Sequence, residues 1–469
     1  MAYEQENNDL KNNGPVQEKE PVWRVIFDPD RDAPTLGKGQ SAENLPPNVL
    51  ALDTGTPLPP PEDLRDPENQ TQVDAVYRET IGRGIIDHHS IDHTVNIPSE
   101  QRRCTTAMLA DFPADVLVMM AERGIDRVTS HHDSDLDSTC STYLAKSLLQ
   151  YGRLPQIASR LSEFVNKVDY GRFRENDPDK FLHSLQGAFS AIKHTHTNQR
   201  DFEMKKIWTD VNSTTQEKIK LSDLCRDKYQ GLILRDMFDL LNSAEEQLEK
   251  GAEVDFEDFA FEDLPVSQEI RDALISGGPE VKEDFVRFER VFEKAETTTI
   301  KVQGKDGKSH EVQLFIVDSS SEPDISPLGV ASIAYQRVPA ESIIAVWAGS
   351  SRRKGGDNYD IGMKPESTEI FTLKFLEAAL NDAEEEKRQP ILADLERKNA
   401  DGTITEEEKK TLTAWRTPRE GFEYLGHGDP TVCVAGGSLV AASNTSLLGF
   451  EDFRLALLKA KSLAEKPRS

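Results

Sequence analysis

The sequence predicts an α/β fold, because short apolar segments that favour β-strands alternate with longer segments that favour helices. The predicted strands are residues 23–27, 48–52, 83–86 and 126–129, and the predicted helices are residues 105–123 and 141–150. Strands that alternate with helical crossovers pair in parallel. We therefore expect a parallel sheet with helices packed on it in this part of the chain.

The length of 469 residues suits more than one domain. Residues 1–20 are polar and charged and are expected to form a disordered tail. We expect a parallel-sheet domain at residues 21–190, a helical connector at residues 191–295 and a smaller C-terminal α/β domain at residues 296–469. An acidic stretch at residues 251–270 is expected to be a surface loop or connector.

The smaller domain is predicted from its own strand and turn signals. Residues 297–302 and 311–317 are expected to form a hairpin, and residues 342–347 a further strand. A helical insertion is expected near residues 377–415. Its second helix would begin at Thr405, with Glu408 at the spacing of a capping box.

The charge balance limits the partners of the chain. There are 56 basic and 83 acidic residues, which gives a formal net charge of −27. A field of this sign repels long polyanions, so non-specific binding of long DNA is not expected. A small phosphorylated substrate or a short nucleic-acid end is compatible, and so is a homo-oligomer.

The location is expected to be cytoplasmic. No apolar run approaches the length of about 18 residues that a membrane span needs, and the polar amino terminus lacks the order of a secretory signal. The four cysteines are scattered without CxxC spacing. This pattern favours reduced thiols over a disulfide framework.

Histidine and aspartate are concentrated in one region. Five of the ten histidines lie between His88 and His132, interleaved with aspartates. Carboxylates packed this closely repel one another unless cations lie between them. A mixed set of imidazole and carboxylate ligands suits Mn²⁺, Mg²⁺, Fe²⁺ or Co²⁺.

Each polar group follows a predicted strand. Asp53, the run Asp87-His88-His89 and the run that begins at His131 all stand directly after such a strand. Since the carboxyl ends of parallel strands share one edge of the sheet, we expect these side chains to meet there. Two ions about 3.5–4 Å apart at this edge would generate a hydroxide and stabilise the reacting oxygens of a phosphoryl group.

The motifs resemble those of the DHH phosphoesterases, a family of exonucleases, oligonucleotide-degrading enzymes, cyclic-dinucleotide hydrolases and manganese pyrophosphatases. Residues 84–89, GIIDHH, resemble the motif that names the family, and residues 50–55, LALDTG, resemble its upstream aspartate motif. Residues 130–138, SHHDSDLDS, are similar to its HxxxDxD motif. Residues 168–173, VDYGRF, resemble its fourth motif. The parallel-sheet domain would thus be a DHH-type catalytic domain.

The order of the motifs departs from the family. HxxxDxD normally comes first, whereas here it follows DHH, which implies a circular permutation. An alternative first motif is DPD at residues 28–30, after the strand that ends at Phe27. It lacks the upstream histidine and leaves few residues before Asp53 for a helix and a strand. The permuted arrangement is preferred, and the assignment of Asp28 and Asp30 stays open as the alternative.

The resemblance implies roles for named residues. The implied metal ligands are Asp53, His88, His131, Asp135, Asp137 and Asp169. They would hold two Mn²⁺ ions, or Mg²⁺ or Co²⁺ in their place, with Asp53 bridging. His89 would face the substrate phosphate and Asp87 would orient His88.

The resemblance also implies a substrate site in the smaller domain. Its residues would be Ser351, Arg352, Arg353, Lys354, His427 and Gly428. The expected activity is phosphodiester hydrolysis, for example exonuclease action on a short oligonucleotide or a nucleotide-like substrate. The alternatives are an inorganic pyrophosphatase or polyphosphatase, and a nucleotide-binding module without catalysis.

Overall fold

Two sheets with helices packed against them confirm the predicted α/β class. The computed structural model describes residues 24–27, 48–53, 61–64, 67–88, 91, 95, 97–130, 135–210, 213–259, 261, 264–322, 337–339, 341–351, 356–363, 367, 370–371, 373–406, 408–409, 412, 432–433 and 448–464. No helix within these segments is both long and apolar enough to cross a bilayer.

The first sheet is parallel, as predicted. Its strands are β1 (Arg24–Phe27), β2 (Val49–Leu52), β3 (Ile85–Ile86) and β4 (Arg127–Ser130). Their order is β1-β4-β2-β3, and every pairing is parallel. The residues of β2 and β3 are all buried, which explains why these strands are apolar throughout.

Four helices follow the strands of this sheet along the chain, and proline or cap residues set several of their ends. They are α1 (Gln70–Gly82), α2 (Thr105–Asp111), α3 (Pro113–Arg123) and α4 (Leu136–Tyr151). The prediction of one continuous helix at residues 105–123 was wrong. Pro113 disfavours helical backbone at the residue before it, and Phe112 accordingly has φ −122° and ψ 44°. α4 begins earlier than predicted because Asp135 caps it.

A mainly helical region follows, as predicted. They are α5 (Ala158–Asp169), α6 (Pro178–Leu182), α7 (Leu185–Thr209), α8 (Thr215–Glu249) and α9 (Gln268–Phe292). The stretch between α8 and α9 is irregular, as expected, but it does not lie wholly on the surface. Val254, Phe256 and Phe259 are buried, because the apolar residues of this acidic stretch pack inward.

The second sheet is mixed and contains the predicted hairpin. Its strands are β5 (Glu296–Gln303), β6 (Ser309–Asp318), β7 (Ser342–Ser351), β8 (Gly356–Met363) and β9 (Val432–Cys433), paired in that order. Only the pairing of β6 with β7 is parallel. Helices α10 (Lys374–Ala400) and α11 (Phe450–Ala464) pack together and contribute Leu376, Leu380 and Leu457 to the core of this sheet.

The chain divides into two units. Residues 1–96, 103–169 and 177–282 form the first, and residues 97–102, 170–176 and 283–469 form the second. The helices of the expected connector up to Lys282 therefore belong to the same unit as the parallel sheet. The expected boundary at residue 190 falls within α7.

Candidate metal centre

A buried acidic residue comes directly after each of the strands β2 and β3. Asp53 follows β2 and Asp87 follows β3, and each is only 1% exposed. The backbone N–H of Asp53 donates to the carbonyl of Ile86 at 3.0 Å. Asp53 has φ +49°, a left-handed conformation that non-glycine residues rarely adopt. This turn places Asp53 beside His88, which is also buried.

Helices α4 and α5 bring two more carboxylates to the same place. Asp137 lies in the first turn of α4, which follows β4, and Asp169 is the last residue of α5. Asp137 is buried, whereas the side chain of Asp169 is 21% exposed. Asp169 is thus the member of the group that solvent reaches most readily among these described side chains.

Three of these carboxylates lie close to the imidazole of His88. Its Nδ1 atom lies 3.7 Å from Oδ1 of Asp53 and 3.7 Å from Oδ2 of Asp137. Its Nε2 atom lies 3.2 Å from Oδ2 of Asp169. Ligand atoms of Asp53, Asp87 and His88, and those of His88, Asp137 and Asp169, lie within 4.8 Å of one another. Both sets are tight enough to hold a metal ion.

The carboxylate of Asp137 accepts two backbone hydrogen bonds. Thr105 N donates to Oδ2 and Thr106 N donates to Oδ1, each at 2.8 Å. Despite these bonds, burial raises the pKa of Asp137 to about 7, and the charges of Asp53 and Asp169 add to the increase. Helix capping therefore accounts for the orientation of Asp137 but leaves its charge without full compensation.

Thr105 is a member of the site that sequence reasoning missed. Its hydroxyl lies 3.3 Å from Nδ1 of His88 and donates to Oδ1 of Asp53 at 3.4 Å. Threonine is not a typical metal ligand, so a search for histidine and aspartate passes over it. The sequence feature that could have indicated Thr105 is the pair of threonines at the start of an apolar helix, seventeen residues after His88.

Asp135 caps α4. Its carboxylate accepts from Ser138 N at 2.9 Å, and its own N–H donates to the Ser138 hydroxyl at 3.0 Å. Its charge contributes to the raised pKa of Asp137. A role of Asp135 as a metal ligand stays a prediction.

The cysteines near the cluster are thiols. Cys104 and Cys140 are buried, and burial together with the charge of Asp137 raises the pKa of both well above the usual range. A thiol is a poor ligand compared with a thiolate. The donors offered to an ion are therefore carboxylate oxygens and an imidazole nitrogen, which suit Mn²⁺, Mg²⁺ or Co²⁺.

Several predicted site residues lie outside the described residues. They are Asp28, Asp30, His89, His131, Arg352, Arg353, Lys354, His427 and Gly428. Ser351, by contrast, is described and is the last residue of β7, in the second unit. The roles predicted for Ser351 and for the residues outside the described segments stay predictions.

The fold and site define an α/β protein with a buried cluster of acidic residues around a histidine. Comparisons with protein-family models, with curated proteins and with solved structures found no match. The resemblance to the DHH phosphoesterases thus depends on the motifs and on what the site residues can do.

Proposed function

We propose that the chain is a metal-dependent phosphoesterase of the DHH type that hydrolyses a phosphodiester bond in a short oligonucleotide or nucleotide-like substrate. One observation supports the proposal above the others. The acidic side chains of Asp53, Asp137 and Asp169, from three separate elements, meet at the ring of His88. Three carboxylates so close together are stable as anions only with cations among them.

The donor set fits the proposed ions. By resemblance, His88, Asp53, Asp137 and Asp169 would hold one divalent cation, and His131 and Asp135 would complete a second site with Asp53. A bound divalent cation would polarise a phosphoryl oxygen and make a water molecule more acidic. The two backbone N–H groups on Asp137 fix its carboxylate, and Asp87 would hold the orientation of His88.

The position of the cluster supports the same proposal. Asp53 and Asp87 stand at the carboxyl ends of parallel strands, where α/β proteins bind ligands. The net charge of −27 favours a short or small substrate over a long polyanion. His89 would supply a proton or positive charge to the substrate phosphate, as the resemblance implies.

The first experiment compares two substrates in the presence of Mn²⁺. We expect mononucleotide release from short oligomers and little phosphate release from pyrophosphate. Asp137→Asn should lower the rate by at least about 100-fold, because it removes a ligand charge. Phosphate release from pyrophosphate alone would favour an inorganic pyrophosphatase. Nucleotide binding without hydrolysis by any divalent metal would favour a binding module.

A matched control is available in the same unit. Asp236 is buried like Asp137 and pairs with a histidine, His196, at 2.7 Å, but it also has the guanidinium of Arg235 beside it. Asp236→Asn should keep full activity if the protein remains folded. Equal loss in both variants would show that burial of any Asp–His pair, and not the cluster, determines activity.

The order of the motifs has its own test. The contact of Asp137 with His88 is what the permuted arrangement requires. We expect Asp135→Ala to reduce activity and metal content, and Asp30→Ala to leave both unchanged. The reverse result would assign the first motif to Asp28 and Asp30.

A further inference from the structure

Thr105 occupies a position between two members of the candidate metal centre. It is fully buried at the start of α2, and its hydroxyl lies 3.3 Å from His88 Nδ1 and 3.4 Å from Asp53 Oδ1. Its backbone N–H is held at the same time by Asp137 at 2.8 Å. This backbone bond fixes the position of Thr105 in the site and leaves its hydroxyl available for other hydrogen bonds.

A hydroxyl has one proton to donate and lone pairs with which to accept. A carboxylate is a stronger acceptor than an imidazole nitrogen, so the hydroxyl proton belongs on the bond to Asp53. The lone pairs of the hydroxyl then face Nδ1 of His88. Both hydrogen bonds of the hydroxyl can form when Nδ1 carries the proton of the neutral ring.

We propose that Thr105 is a positioning residue that holds His88 as the Nδ1–H tautomer, so that Nε2 presents a lone pair as the ligating atom. The relay runs from His88 Nδ1–H to the Thr105 hydroxyl and from that hydroxyl to Asp53. Nε2 then faces Asp169, 3.2 Å away, on the most exposed side of the cluster. A lone pair and a carboxylate oxygen at this distance repel each other unless a cation lies beside them. The inference rests on the proposed metal site.

The test reads the tautomer directly from the ¹⁵N chemical shifts of the His88 ring at a pH where the ring is neutral. We expect a protonated Nδ1 in the Mg²⁺-loaded wild type, where a cation lies beside Nε2. Thr105→Val keeps the shape but removes the hydroxyl, and should give a tautomer mixture in the Mg²⁺-loaded protein. Thr105→Ser restores the hydroxyl and should restore the wild-type spectrum. An unprotonated Nδ1 in the Mg²⁺-loaded wild type would overturn the proposal without any variant.

Metal affinity provides the second readout. Mn²⁺ binding should weaken by about 10- to 100-fold in Thr105→Val and recover in Thr105→Ser, as expected for the loss of a partner that orients a ligand. Thr80→Val is the matched control, because Thr80 is a buried threonine of the same unit whose hydroxyl donates to the main-chain oxygen of Val76 at 3.1 Å. Unchanged affinity in Thr105→Val, or an equal loss in Thr80→Val, would overturn the role of Thr105.

The failures of the two proposals can be distinguished. If the wild type binds no Mn²⁺, the proposed function fails and the inference about Thr105 fails with it. If the wild type binds Mn²⁺ and hydrolyses its substrate but Thr105→Val keeps the wild-type ring spectrum, only the inference about Thr105 fails.

Discussion

Asp53 shows how much local strain the candidate site contains. Its left-handed backbone costs a residue with a side chain about 1–2 kcal/mol, and the bond from its N–H to Ile86 holds it in place. Strained residues of this kind cluster at functional sites, where the neighbouring structure maintains them. The left-handed backbone at Asp53 places it beside His88, which supports a functional role for this residue.

The raised pKa of Asp137 predicts how the stability of the metal-free protein depends on pH. In the folded state the pKa is about 7, whereas an unfolded aspartate titrates near its ordinary value of 3.8. The stabilising contribution of the protonated group is complete below that ordinary value and is lost as the pH rises through 7. The free energy of unfolding in EDTA should therefore fall between pH 4 and pH 7.

Urea denaturation at several pH values tests this prediction. Asp137→Asn has no charge to titrate at this position, so its stability should decline less than that of the wild type over the same range. Added Mn²⁺ should restore the wild type at pH 8 and have a smaller effect on the variant. Parallel pH curves for the two proteins would contradict the assigned titration.

Helices α7 and α9 depend on a single glycine for their close packing. A Cβ atom at Gly277 would lie 1.9 Å from the carbonyl oxygen of Ala191, a backbone atom that cannot move independently. The hydroxyl of Thr195 in α7 also donates to the carbonyl of Ala273 in α9, at 2.8 Å. The two backbones are therefore in direct contact.

Gly277→Ala should destabilise the protein by at least about 2 kcal/mol, because the helices must separate. Gly231 in α8 is the matched control, since a Cβ there would meet nothing within 4 Å. Gly231→Ala should stabilise the protein by about 0.5–1 kcal/mol through helix propensity. Thermal and urea unfolding of both variants measures the difference. Similar effects of the two substitutions would show that the helices can adjust.

The elements that the sequence predicted well are those with strong local signals. The strands β2 and β4 and the hairpin of β5 and β6 have apolar or alternating patterns bounded by turn residues, and the capping box at Thr405 has its expected bonds to Glu408. The break at Phe112 was missed because apolar periodicity continues across it. The start of α4 was missed because Asp135 was interpreted only as a ligand.

The candidate site was predictable in part for a related reason. Asp53, His88 and Asp137 follow strands whose parallel pairing brings them to one edge, so their meeting could be expected from the sequence. The position of Thr105 depends on how α2 packs against α4, a tertiary contact with no local signature. The distances that link its hydroxyl to His88 and Asp53 therefore required the structure.

At the scale of the whole molecule, the described cluster residues all belong to the first unit. Hydrogen exchange of EDTA-treated and Mn²⁺-loaded protein should therefore differ in the segments that carry the cluster, residues 49–53, 85–88 and 136–169. The hairpin of β5 and β6, in the second unit, serves as the internal reference. If Mn²⁺ increased the protection of this hairpin as much as that of the cluster segments, or did not increase the protection of residues 136–169, the result would contradict a metal site confined to the cluster.

The residues of the cluster lie far apart in the sequence, which determines when the chain could first bind a cation during its synthesis. Asp53 emerges from the ribosome long before Asp169, and neither carboxylate can hold an ion tightly alone. Until α5 has packed, the nascent polypeptide has only bare, mutually repelling acids at this place. Binding of the proposed ion would thus come late and all at once, and would mark molecules in which α5 has packed.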